Sequence, residues 1–409
     1  MAATSGPAAP LREVLAETAW AAVAMAGLPA GASAAVLVGT AGDFTGLTRY
    51  WRAAAAGSVV DAAGTVGAAG RVGAAGRVGA ADGDIRRAAG TGGFESAGGV
   101  ATAYRVGAAG GAGVAGSALS GPAGALGVES AGGVEDAGGV AETVPAWQAA
   151  ALGEALGVKG PRIAFTNACV ASATAVAHGC RLIASGRAKT VVCAGAYLVE
   201  EENLAKFGSG FALSGEGTMR PFSADRSGLL LGDGAGAVVL ESAAGARRRG
   251  ARALAALTGW GAASDAHHVA RPHPRGAGLA AAAARALRVA GGPRVDYVNA
   301  HGTATRHNDP AETLGVRAVL GTGADRVPVS STKSTTGHLL EASGVVELVI
   351  TLLAVRDGVL PPTAGFTGPD PACDLDYVPN RPRRADIRTA LSLNAAFGGA
   401  NTALVVERA

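Results

Sequence analysis

Thr166-Asn167-Ala168-Cys169-Val170-Ala171-Ser172 sits between a short apolar run and a strongly periodic one, and its flanks decide how the chain folds. Gly160-Pro161 makes a turn, and Ile163-Ala164-Phe165 reads as the end of a buried strand. From Ala173 to Ile183, apolar side chains recur at helical spacing through Val176, Ala177, Cys180 and Ile183. Gly186 stops that helix, and Thr190 to Ala194 is a second buried strand. Cys169 is therefore expected at a strand-to-helix corner. Unpaired N–H groups and the helix dipole favour a thiolate there, which predicts a lowered thiol pKa. A free cysteine is ordinarily a small core filler, and Cys180, Cys193 and Cys373 fit that description. What sets Cys169 apart is the series of residues downstream.

The 409 residues can bury a sizeable core, as one large or two fused α/β domains. Four cysteines without a C-x-x-C pair make no disulfide framework, which fits a reducing cytosol. A net charge of +3 is too small to imply nucleic-acid binding. No run of about 18 apolar residues is free of Gly, Pro and charge, and the start lacks a basic leader region. A soluble cytoplasmic protein is expected. Aromatics are only 4% of residues, and much of the apolar content is alanine, a weak core former.

On the N-terminal side, Pro10 to Gly27 reads as an amphipathic helix with Leu11, Val14, Leu15, Ala22 and Met25 on one face, interrupted by Thr18. Ala34 to Val38 is a buried strand ending in the Gly-rich turn Gly39 to Asp43. From about Ala62 to Gly139 the chain is built of Gly, Ala, Val and scattered charge. Arg71-Val72-Gly73-Ala74-Ala75 returns from Arg77 and again from Arg105, and Glu95-Ser96-Ala97-Gly98-Gly99-Val100 returns from Glu129. No repeat carries the large apolar side chains needed to offset its ordering entropy or to stack. The stretch reads as a flexible low-complexity insertion. Four segments result: 1–61, the insertion at 62–143, the nucleophile-bearing part at 144–259, and a C-terminal half at 260–409.

On the C-terminal side, Glu200 to Gly217 is polar and holds Phe207 and Phe211, and Leu229 to Glu241 leads into another buried strand. Ala251 to Gly259 is expected to continue that sheet, and Gly278 to Ala290 is an Ala-rich helix. The plan then repeats. Val295 to Ala300 is a strand ending at His301-Gly302, and Asn308 to Thr313 reads as an N-capped helix start with Pro310 in its first turn. Val327 to Ser331 is a short strand leading to Thr332–His338, and a helix is expected over Leu339–Arg356. Leu391 to Asn394, the turn Ala395–Asn401 and the strand Thr402–Glu407 close the chain. Alternating strands and helices imply a mainly parallel, doubly covered sheet in each half.

Cys169, His301-Gly302, Gly337-His338 and Phe397-Gly398-Gly399 each occupy a small-residue turn at or near a strand end, where sites assemble in α/β sheets. A thiol, two histidines and a Gly-Gly turn suit acyl transfer, in which a thiolate attacks a thioester and backbone N–H groups hold the oxyanion. The other histidines, His178, His267, His268, His273 and His307, lack such contexts.

Seven motifs in this order resemble the β-ketoacyl synthases, the condensing enzymes of fatty acid and polyketide synthesis. They are Asn167–Ser172, Arg220-Pro221-Phe222-Ser223-Ala224-Asp225-Arg226, Gly232-Asp233-Gly234-Ala235-Gly236, His301–Thr305, Ser331–His338, Asp370–Asn380 and Phe397–Asn401. The likeness runs from about Pro161 to the C-terminus, with a weaker piece at Val36–Gly42. It implies an α/β thiolase-like fold of two related βαβ halves in αβαβα layers, in a homodimer or a heterodimer with a related subunit. By resemblance, Cys169 takes an acyl chain from an acyl carrier protein, and His301 and His338 bind malonyl thioester and promote its decarboxylation. Lys333 supports the site, and the N–H groups of Cys169 and Phe397 form the oxyanion hole. Thr303 and Thr305 contact the pantetheine arm, Phe207 lines the acyl pocket, and Glu312 and Glu347 are structural carboxylates. Ala395, Phe397, Gly398 and Gly399 form the substrate gate. No metal or organic cofactor is implied, since the substrates ride on the carrier's phosphopantetheine; neither nucleic acid nor membrane is an expected partner.

Cys, His and His together resemble the elongating synthases, and Asn308-Asp309 with Glu312-Thr313 leans towards the polyketide branch. The competing expectations are a non-catalytic, chain-length-determining partner subunit, which typically lacks the Cys, and a non-decarboxylating acyltransferase. Arg247–Arg249 and Arg381–Arg384 could meet an acidic carrier protein, although solvated surface charge is the simpler account. The chain departs from the family in three places. The first strand and helix have no counterpart before Pro10, and the low-complexity stretch stands where relatives have a shorter dimer-forming, pocket-lining region; a shifted start or frame in the gene would account for both. Ala395-Ala396 precedes Phe397 where two Phe usually flank a Gly, which should widen the gate. Glu341 replaces a customary Gly.

Overall fold

The computed structural model describes residues 11–29, 31–41 and 143–409, together with the backbone of the strands at 58–60 and 66–68. The reading of 62–143 as an insertion lies almost wholly outside the described residues. In chain order, the first half has helix α1 (Leu11–Ala26), strand β1 (Ala35–Gly39) and the antiparallel pair β2 (Ser58–Val60) and β3 (Val66–Ala68). It continues through α2 (Pro145–Ala155), β4 (Arg162–Phe165), α3 (Ala171–Ala184), β5 (Thr190–Tyr197), α4 (Glu201–Ser209), β6 (Gly234–Glu241) and α5 (Ala243–Arg248). The second half has β7 (Ala256–Ser264), α6 (Ala277–Val289), β8 (Tyr297–Asn299), α7 (Asn308–Leu320), β9 (Val329–Ser330), α8 (Lys333–Thr336) and α9 (Ser343–Asp357). A short ribbon of β10 (Val359–Leu360) and β11 (Arg383–Arg384) precedes β12 (Thr389–Ala395) and β13 (Ala400–Glu407).

Two sheets sandwich a central helical layer. The first runs β4-β1-β5-β6 and the second β7-β13-β12-β8-β9. Helices α3 and α9 pack on each other and each touches strands of both sheets, while α1 and α2 cover the first sheet outside and α6 covers the second. The result is the expected αβαβα layering. Because β1 and β5 are covered on both faces, they read as unbroken apolar runs rather than alternating ones. Helix α9, SGVVELVITLLAVRD, is apolar nearly all round because it fills the middle layer. Small residues let that layer close tightly: a Cβ on Gly344 of α9 would stand 2.4 Å from the Ala173 amide nitrogen of α3.

Several expectations need correction. β1 pairs in parallel with β4 and β5, but β6 is antiparallel to β5, and in the second sheet β13 is antiparallel to both β12 and β7. The second sheet is therefore mixed, since β12 turns straight into β13 through a tight loop instead of a helical crossover. β7 does not extend the first sheet; it pairs with β13, so the division at 259/260 falls inside a strand of the second half. α9 starts at Ser343, after a 3-10 turn over Leu340–Ala342. Asn308 does not cap α7: its amide N–H donates to Thr305 Oγ1 at 3.3 Å, and its side chain turns to Asp309 and Glu312.

Candidate active site

Cys169 lies in a single 3-10 turn, Ala168–Val170, between the end of β4 and the start of α3. Ala168 is held at φ 54°, a left-handed conformation that costs a non-glycine residue roughly 1–2 kcal/mol. The corner is braced from behind. Asn167 Nδ2 donates to Thr174 Oγ1 at 2.9 Å, and the Val345 amide of α9 donates to Ser172 Oγ at 3.0 Å. Gly39, closing β1, has no room for a side chain, because a Cβ would lie 2.3 Å from the Ser172 nitrogen.

The lowered thiol pKa expected from the helix start is not realised. Burial pushes the Cys169 thiol up to about 12, Glu341 and Glu347 add to the rise, and Lys333 and a backbone N–H oppose it. A helix dipole acts over the first turn, whereas Cys169 sits one turn earlier in a dry setting, so desolvation wins. At rest Cys169 is therefore a thiol.

His301 and His338 are 4% and 1% exposed, and their rings meet edge to face with centroids 5.3 Å apart. Both are held well below the usual histidine range, first by burial and then by the charge of Lys333. They are neutral rings near pH 7. His301 arrives just beyond β8, where Glu312 on α7 accepts the His301 amide at 2.6 Å and the Gly302 amide at 2.7 Å. Ser331 Oγ donates to the Gly302 carbonyl at 2.7 Å, which locks the turn to the neighbouring strand. Burial pushes Glu312 up to about 7 against those hydrogen bonds. His338 follows α8; its amide donates to the Leu230 carbonyl at 2.7 Å, and its Nδ1 lies 3.0 Å from Ser343 Oγ. His301 Nδ1 has no hydrogen-bond partner among the described residues.

Lys333 is not a solvated surface lysine. It is 0% exposed and forms an ion pair with Glu347 of α9, which also accepts Asn394 Nδ2 at 2.6 Å. Burial raises the Glu347 carboxyl while Lys333 and Asn394 oppose the rise. The charge of Lys333 reaches Cys169, His301, His338 and Glu312 alike, so one cation ties together parts of the site contributed by four segments. Thr303 and Thr305 hydroxyls are 3.0 Å apart beyond His301. Phe397 is half exposed in the turn between β12 and β13 and stacks on Phe207 of α4 at 5.5 Å, with Gly398 at φ 83°. The amide of Gly398 donates to the Val269 carbonyl at 2.6 Å, and Ala395 is half-buried beside the turn. Phe211, four residues past Phe207, points into solvent.

Ser343 and Asn394, which touch His338 and Glu347, were not singled out by the sequence. An Asn inside the buried run Leu391–Asn394 was a readable signal; Ser343 carried none. Arg249 pairs with Glu241 at 2.9 Å, and Arg383 with Asp376 at 2.5 Å, so both arginine clusters are partly neutralised on their own surface.

This arrangement of motifs on two sheets has counterparts. The description "Beta-ketoacyl synthase, N-terminal domain" matches residues 92–246, and "Beta-ketoacyl synthase, C-terminal domain" matches residues 254–367. The chain belongs to the β-ketoacyl synthase family. The break between the two matched regions falls just before β7, in agreement with the sheet pairing. The N-terminal match begins inside the stretch read as an insertion. The chain is 40% identical over 261 residues to 3-oxoacyl-[acyl-carrier-protein] synthase 2 of Synechocystis, covering 62% of this chain and 63% of that protein. It is 41% identical to the tetracenomycin polyketide synthase ketoacyl synthase alpha subunit of Streptomyces glaucescens, covering 64% and 62%. The chain thus spans less than two thirds of these relatives. Among solved structures, the ishigamide ketosynthase/chain length factor aligns with TM-score 0.72 and 25% identity over 98% of this chain and 84% of that one. A type II polyketide acyl-carrier protein in complex with its ketosynthase bound to the hexaketide aligns with TM-score 0.64 and 29% identity, covering 66% and 68%. Among the described residues, no helix is long and apolar enough to cross a membrane.

Proposed function

We propose that the protein catalyses decarboxylating Claisen condensation, joining an acyl group held on Cys169 to a malonyl unit on an acyl carrier protein. The observation that carries this reading is the pair of buried, neutral histidines facing each other at 5.3 Å within the field of the lysine that also reaches Cys169. In the first step the Cys169 sulfur forms a thioester with the incoming acyl carbon, and the departing pantetheine sulfur takes up the proton that Cys169 loses. In the second, the C–C bond to the malonyl carboxylate breaks, CO2 leaves, and its electron pair becomes an enolate at the thioester. A neutral imidazole N–H donates to that oxyanion without first giving up a charge. In the tautomer in which the Ser343 hydroxyl donates to His338 Nδ1, Nε2 carries the proton and serves as one donor. The enolate carbon then attacks the acyl carbon, and the Cys169 sulfur leaves and regains a proton.

Thr303 and Thr305 hold the pantetheine arm in this reading, the N–H groups of Cys169 and Phe397 hold the tetrahedral oxyanion, and the Phe207–Phe397 stack closes the acyl pocket. Lys333 and Glu347 fix the site's charge. The partners are an acyl carrier protein and a second subunit of the same fold, supported by solved relatives described as a ketosynthase with its acyl-carrier protein and with a chain length factor. The test is intact-protein mass spectrometry with acyl-carrier-protein thioesters followed by malonyl carrier protein. A one-acyl mass increase on Cys169, discharged by the malonyl donor, is the expected result. Cys169→Ala should not load, and His338→Ala should load without decarboxylating. Loading by Cys169→Ala would refute the assignment.

A further inference from the structure

Glu341 takes part in none of these steps, yet it is buried beside the nucleophile. It belongs to the 3-10 turn Leu340–Ala342, which packs on the Cys169 turn and on β5. Its neighbours Leu340 and Ala342 share one core cluster with Cys169 and Tyr197, and Phe207 packs on that same cluster. Leu340 is held at φ 40°, so the turn is fixed by its surroundings. Glu341 is only 9% exposed; its carboxyl takes a hydrogen bond from its own backbone N–H, and among the described residues no side chain hydrogen-bonds or ion-pairs with it, which leaves acceptor capacity open. Lys206 of α4 acts on it at longer range, and Glu341 in turn acts on Cys169 and Tyr197. The Tyr197 hydroxyl, at the end of β5, is also buried without a well-oriented hydrogen-bond partner among the described residues, with Asn203 alongside.

We infer that Glu341 and the Tyr197 hydroxyl line the acyl side of Cys169 and select an acyl chain that carries a hydroxyl group over a saturated hydrocarbon. The inference rests on the condensing role proposed above. Leaving a buried polar group unsatisfied costs about 1–3 kcal/mol, and more for a charged one. A hydrocarbon chain drawn in past Cys169 dries the Glu341 carboxyl further, leaves the buried Tyr197 hydroxyl as it was, and returns nothing to either. A chain hydroxyl donates to the carboxylate and accepts from the phenol. Sites built around such groups reject analogues lacking the hydroxyl far more strongly than an apolar pocket rejects an added or missing methylene.

The test compares rates of Cys169 acylation, read by intact mass, from pantetheine thioesters of hexanoate, 3-hydroxyhexanoate and 5-hydroxyhexanoate. At least one hydroxy chain should load about ten-fold or more faster than hexanoate, a modest part of the range such sites reach. Glu341→Leu should bring that ratio to one or below, and Glu341→Gln, which keeps an acceptor oxygen, should retain part of it. Equal or faster loading of hexanoate by the unaltered protein overturns the inference, and that ratio decides the matter even where a variant fails to fold. If no thioester loads, the condensing reading is what fails. The wall is then probed by Cys169 alkylation with N-butyl- and N-(4-hydroxybutyl)iodoacetamide, and equal rates with the two reagents overturn the inference.

Discussion

Replacing either member of the Lys333–Glu347 pair tests how the centre of the site is held together. The two side chains are 0% and 1% exposed, so neither charge can turn to water when its partner is removed. Lys333→Met leaves a carboxylate whose other partner is the Asn394 amide, and Glu347→Leu strands both an ammonium and that amide. Removing one partner of a buried pair costs about 3–5 kcal/mol, whereas replacing both with apolar residues of similar volume is often close to neutral. Each single variant should therefore lose several degrees of Tm, and the double variant should recover most of the loss. A double-mutant cycle measured by urea denaturation, with the transition checked by two probes, gives the coupling directly. A coupling above about 2 kcal/mol is expected. Single losses below about 1 kcal/mol that simply add would refute the argument, since they would mean that water reaches the pair. The double variant should fold yet lose activity, because the cation that reaches Cys169 and both histidines is gone.

Three further outcomes follow from the same geometry. With the thiol raised to about 12, alkylation of Cys169 by iodoacetamide should keep accelerating with pH well beyond 9; a plateau near pH 8 would contradict its burial. Gly39→Ala should disrupt the corner, because its Cβ would meet backbone atoms of Ser172 at 2.3 and 2.5 Å that cannot swing aside; soluble protein with unchanged Cys169 alkylation would refute this. Glu312 is raised by burial to about 7 from 4.5, so the fold favours its protonated form. Its contribution to stability is present below the unfolded value and is lost as pH rises through about 7, by roughly 3.5 kcal/mol at most, taking about 1.4 kcal/mol for each of the 2.5 pH units between the two values. Denaturation midpoints of the unaltered protein and Glu312→Gln across pH 4–8 check this, the variant showing the flatter profile.

The elements around Cys169, the strands ending near His301 and Asn394, and the layered plan of two halves were all legible in the sequence. Each is written in local periodicity and in small residues placed where the backbone must turn or approach closely. What stayed hidden depends on which distant segment lands alongside. The antiparallel path of β13 places β7 in the second sheet, a pairing that no local pattern in Ala256–Ser264 announces. Lys333 is tied to the site only through the family resemblance, and its burial appears once α9 brings Glu347 against it; Glu341 stands out only as a departure from a customary Gly until its turn packs on that of Cys169. The sequence by itself thus determined the corner that holds Cys169 and, through its ordered motifs, the family. Only the tertiary structure decided that burial raises the Cys169 thiol, that both histidines are held below their usual range and that Glu341 is buried in a turn packed on that of Cys169, because desolvation and charge coupling are set by neighbours far apart along the chain.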